Sequence, residues 1–138
     1  MPKPARTAPC NRAEARARLR IAEAYLKTAG TVLEERGGDD MYLNVAAGLA
    51  ILAGIAASDA ICGARLGRIH RGDDHHGAED LLRTATPDGS KLATDLRRLL
   101  SLKDAAHYGV MVIATRKATD AKRQAGRLVE RANEETER

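Results

Sequence analysis

Three polar residues fall where this sequence calls for apolar ones: Asp59, Lys103 and His107. With about 100° of rotation per helical residue, Asp59 lies near the centre of a face that also carries Leu52, Ile55 and Leu66. Lys103 and His107, one turn apart, continue the stripe of Leu96, Leu99 and Leu100. An unpaired buried charge is costly, so such groups pair or shift their pKa. The expectation is a buried polar network in which Asp59 meets Lys103, His107 or His75 across the core, with Tyr108 next to His107. A buried ion pair that fixes helix register is the simpler role for these residues, and acid–base catalysis is the sharper one.

A second cluster is His70, Asp73, Asp74, His75 and His76. Its spacing permits two or three metal ligands, but adjacent histidines point apart and no His-x-x-x-His lies on one helical face. A polar loop leading to a helix N-terminus is the plainer reading, and no metal is expected. Arg116, Lys117, Lys122 and Arg123 begin a basic run that Arg127 and Arg131 continue; it reads as a solvated face or as contacts to nucleic-acid phosphates. Cys62 sits among small apolar residues and reads as core rather than nucleophile. The sequence has no phosphate-cradling glycine loop, nucleotide fingerprint or serine triad, so no cofactor is expected.

These side chains must be held by helices. The 138 residues include 26 alanines and 15 leucines but no Trp or Phe, a composition that suits helices and excludes aromatic-lined barrels and stacking platforms. Residues 1–10, with three prolines, read as a disordered tail. Residues 11–133 read as a single all-α domain, an up-and-down bundle of four main helices plus one short helix. Asn11 is the expected N-cap of the first helix, whose stripe is Ala15, Leu19, Ala22, Leu26, Ala29 and Leu33. Gly37-Gly38 ends it, and a second helix runs to about Arg68. That helix has larger apolar residues on one side and Ala46, Ala50, Ala53, Gly54 and Ala57 on another, where a neighbour can approach closely. A short third helix follows Asp73 or Asp74, a fourth runs from Ser90 to about Tyr108, and the last opens at Thr115. Residues 134–138 are expected to fray.

Met41 to Ala64 has Asp59 as its only charge and is long enough to span a bilayer. Asp59 offsets about 2.5 to 3.5 kcal/mol of insertion energy, so the stretch reads as a buried central helix with no membrane partner. The net charge is +4, with the basic surplus mostly after residue 80, compatible with a polyanionic partner. Two cysteines and no apolar leader point to the cytoplasm.

The order of features resembles a family. A-x-S-D-A-I-C-x-A-x-L-G-type residues (Ala57 to Gly67) lead to G-D-D-H-H-x-A-x-D-L-L (Gly72 to Leu82), then to L-x-x-L-L-x-L-K-x-x-A-x-Y-like residues (Leu96 to Tyr108) and an Ala-rich closing helix. Over residues 12–132 this is similar to the HEPN superfamily (higher eukaryotes and prokaryotes nucleotide-binding). The resemblance implies a small helical bundle that is often dimeric, with RNase members that cleave RNA without metal through an R-x(4–6)-H motif at the dimer interface. It also implies toxin–antitoxin-type modules, and non-catalytic members that pair with another protein such as a nucleotidyltransferase. At the family's catalytic position this sequence carries Lys103, Asp104 and His107, with Lys for Arg and three residues between Lys103 and His107. Arg65 and His70 form an alternative pair with the family's spacing at the second-to-third helix junction. A homodimer, an RNA ligand and a metal-independent endoribonuclease activity are what the resemblance leads one to expect.

Overall fold

The Ala-rich stretch in mid-chain becomes the axis of the fold. A computed structural model describes residues 6–72 and 74–137; residues 1–5, Asp73, Arg138 and the side chain of His75 lie outside the described residues. The helices are α1 (Arg12–Glu35), α2 (Met41–Leu66), α3 (His75–Ala85), α4 (Gly89–Ser101), α5 (Lys103–Tyr108) and α6 (Thr115–Thr136), with two short strands, β1 (Thr7–Pro9) and β2 (Arg68–His70). The domain is an all-α helical bundle. α2 is long and apolar enough to cross a membrane by composition, yet most of it is buried among the other helices.

Helix ends follow local chemistry. Asn11 Oδ1 accepts from Glu14 N at 2.8 Å while Glu14 Oε1 accepts from Asn11 N at 3.1 Å, a complete capping box. Gly67 closes α2 at φ +71°, a left-handed position that suits glycine, and its N–H donates to Gly63 O. Asp74 caps α3 by accepting from His76 N at 2.9 Å.

The buried side of α2 is its small side. Ala46, Ala47, Ala50, Ala53, Ala57 and Ala60 are fully enclosed, and α1 and α6 pack on that surface. Close approach is the reason: an added Cβ at Gly54 would stand 2.3 Å from Leu99 Cδ1, so α4 seats a leucine against bare backbone. Leu43, Ile51 and Ile61 are buried with them, but the larger residues of the expected apolar face take the opposite role to the one that their size suggests. Met41 and Val45 are exposed, and Leu49, Leu52 and Ile55 are only half-buried. Leu92, Leu96, Leu99 and Leu128 complete the core from α4 and α6.

Three expectations need correction. Residues 7–10 are not a tail: β1 pairs antiparallel with β2, Thr7 opposite His70 and Pro9 opposite Arg68, and Cys10 is buried against Gly63. Three-residue strands carry too few side chains to show a period. The chain end does not fray at Glu134, because Glu135 and Thr136 are buried in the last turn of α6. Arg65 and Arg131 each donate to the Glu135 carboxylate, at 3.2 and 2.9 Å. The fourth helix is broken at Leu102 into α4 and α5.

Candidate functional site

Asp59, the first of the misplaced polar residues, finds a partner on α1. Arg18 Nε and Nη2 donate to Asp59 Oδ2 at 3.1 and 2.9 Å. The expected partners Lys103 and His107 make no ion pair with it among the described residues, and the side chain of His75 is outside them. Asp59 is also less buried than its apolar neighbours suggest, its side chain 18% exposed, because it belongs to the half-covered side of α2. Burial pushes its carboxyl up from the ordinary value, and the Arg18 guanidinium pulls it partly back.

Asp59, His70 and Lys103 nevertheless line one pocket of about 200 Å³, walled by Ile55, Leu96 and Leu100. α2 supplies Asp59, β2 supplies His70 and the first turn of α5 supplies Lys103. The His70 ring leans on α3: a Cβ at Gly77 would stand 2.5 Å from His70 Cε1. Both ring nitrogens of His70 are buried and have no hydrogen-bond partner among the described residues.

His107 lies elsewhere. It stands past the break at Leu102, exposed and not part of a buried network. Its ring rests on α2 backbone, with Cδ2 and Nε2 each 3.0 Å from where a Gly48 Cβ would be, and meets Tyr108 edge-to-face at 6.1 Å. Tyr108 is 78% exposed, and the apolar run after it is bare too, with Val110 91% and Met111 77% exposed. Asp104 is exposed on the same short helix. This bare segment is anchored by buried Asn44, whose Nδ2 donates to Ala105 O and Met111 O and whose Oδ1 accepts from Ile113 N at 2.8 Å. Sequence reasoning missed Asn44; a lone amide inside an apolar helix was the available signal.

The alternative pair does not converge. Arg65 is committed to Glu135, while His70 lines the pocket with both ring nitrogens buried. The basic run divides. Arg127 forks onto Asp95 at 3.0 and 2.6 Å, and Arg131 forks onto Asp88 at 2.6 and 2.8 Å. Arg123 pairs with Asp120, and half-buried Lys122 lies across Gly30 of α1. Arg116 and Lys117 are exposed, with no ion pair among the described residues. Burial, with the nearby Asp59 charge, pushes the Cys62 thiol up to about 12, which suits an inert core position. The chain matches no family model and no curated protein.

Proposed function

We propose that this chain is a HEPN-like, RNA- or nucleotide-associated domain of the cytoplasm. It works as a homodimer through the surface made by α5 and residues 109–113, with His107 as the acid–base residue of a metal-independent endoribonuclease. The observation that carries this reading is the exposure of His107 beside Tyr108, Val110 and Met111. A histidine locked in the core could not reach a phosphodiester, whereas one on a bare apolar surface can meet its counterpart from a second copy. In the reaction, His107 takes the proton of a ribose 2′-hydroxyl, the oxygen attacks the adjacent phosphorus, and the P–O5′ bond breaks. Protonation of the departing oxygen leaves a 2′,3′-cyclic phosphate and a 5′-hydroxyl. Lys103, one turn away, or Arg116 and Lys117 supply positive charge for the phosphorane, and Asp104 is a further polar group on that helix.

The test is cleavage of single-stranded RNA in EDTA. His107→Ala is expected to lower the rate by about 10²–10⁴-fold, the usual share of a positioned acid–base group, while Arg65→Ala leaves it unchanged. Light scattering on the same protein should give a dimer at tens of micromolar. A monomer, or a wild type that leaves RNA intact, would sink the nuclease. A second reading then stands: a non-catalytic module that pairs with a partner such as a nucleotidyltransferase. The observation that favours it is that Lys103 lines the Asp59 pocket, leaving His107 without a committed cation.

A further inference from the structure

The pocket at Asp59 shares only Lys103 with that reading, and its lining has a chemistry of its own. Ile55, Leu96 and Leu100 form an apolar wall, and the polar groups come from three separate elements. Asp59 is half-engaged: both Arg18 donors land on Oδ2, and Oδ1 accepts neither of them. Lys103 is half-buried beside two leucines and has no ion pair among the described residues. A neutral imidazole offers one N–H donor and one acceptor, and His70 spends neither within the described residues. Leaving buried polar atoms unpaired costs about 1–3 kcal/mol each, so a ligand that pairs them recovers that cost on binding.

We propose that this pocket is a second binding site, for a small organic phosphate. The phosphoryl oxygens accept from Lys103 and, once the ring turns one of its buried nitrogens toward the pocket, from His70; a hydroxyl of the ligand donates to Asp59 Oδ1, and its carbon skeleton lies on Ile55, Leu96 and Leu100. A phosphate fits better than a carboxylate because the donors stand on different elements. A tetrahedral anion presents oxygens in several directions, whereas a planar carboxylate is best served by one fork, as Arg127 serves Asp95. Size sets the upper limit. A cavity of about 200 Å³ is smaller than the roughly 300–1,000 Å³ of drug-sized sites, so it takes a phosphorylated triose or pentose rather than a polynucleotide.

Calorimetric titration of the full chain tests this, with inorganic phosphate and ribose 5-phosphate as probes. Ribose 5-phosphate should bind once per chain and more tightly than inorganic phosphate. Lys103→Met removes a charge-assisted hydrogen bond and should weaken it about tenfold or more. Gly77→Ala should weaken it too, because the new methyl displaces the His70 ring without deleting it, and alanine suits a helix interior. Lys91→Met removes the same charge from an exposed site on α4 and should change nothing. Absence of saturable binding overturns the proposal. So does equal affinity for the two probes, or equal weakening by Lys91→Met and Lys103→Met. None of these measurements involves RNA, so this site and the nuclease can fail separately.

Discussion

Replacing Arg131 with methionine destabilises the bundle by about 3 kcal/mol, near the lower end for breaking a buried ion pair, because Arg65 still reaches Glu135. Arg131 is the joint of two contacts. Its fork meets Asp88 at the start of α4, and its Nε meets Glu135, which is only 1% exposed in the last turn of α6. Methionine keeps most of the packing but leaves the buried Glu135 carboxylate short of a donor. Chemical denaturation at pH 7 reads the loss directly, and a change under about 0.5 kcal/mol, ordinary for a surface site, would show that the seating of α6 does not depend on Arg131. Acid provides the second readout. The Arg131 guanidinium holds the Asp88 carboxyl down at about 2. A carboxylate with a depressed folded pKa stabilises above its unfolded value and loses that contribution as pH falls through the folded one. The gap between wild type and variant should therefore stay level down to about pH 4 and narrow toward pH 2. Asp88 is 43% exposed, so its part of the gap is the smaller one.

Asn44→Ala should loosen the whole segment from Tyr108 to Ile113. Its amide is the clamp for three backbone groups: Ala105 O, Met111 O and the buried Ile113 N. Losing it leaves at least the Ile113 amide buried without an acceptor, a cost of about 2 kcal/mol, with the two carbonyls free to turn toward water. Hydrogen exchange gives a local readout. The Ile113 amide should lose its protection while the amides of α1 and of the second half of α2 keep theirs, since opening there is a local event. Because the same segment carries the proposed dimer surface, the variant should also run as a monomer. Unchanged protection at Ile113 would remove the clamp. Protection lost with the dimer intact would move the interface away from residues 108–112.

Much of this fold is legible in the chain. The stripe from Ala15 to Leu33, the Asn11 cap, the Gly37-Gly38 stop and the spacing of leucines in α4 each report a helix or its ends through contacts within one or two turns. The inert Cys62 and the small-residue side of α2 follow the same way, from neighbours a few positions along. What failed was the expectation that Asp59 meets Lys103 or His107 across the core. Helical periodicity gives a residue an azimuth on its own helix, and it says nothing of the azimuth of the partner. Asp59 lies where the 100° count places it, but the half-open side of α2 faces α1 there, so its cation is Arg18 rather than Lys103.

His107 shows the second kind of failure. Its expected burial assumed one unbroken helix from Ser90 to Tyr108, whereas the helix breaks at Leu102 and His107 beyond it is exposed. The β1–β2 pairing and the docking of Glu135 join residues some sixty or more positions apart, too distant for any local pattern to register. Local sequence carried most of the helices, the Asn11 cap and the side of α2 that is small enough to be crossed. The tertiary structure alone decided that Asp59, His70 and Lys103 share a pocket while His107 stands apart. Helix formation is a sum of contacts over a few residues, whereas a site is assembled only when packing chooses which faces meet.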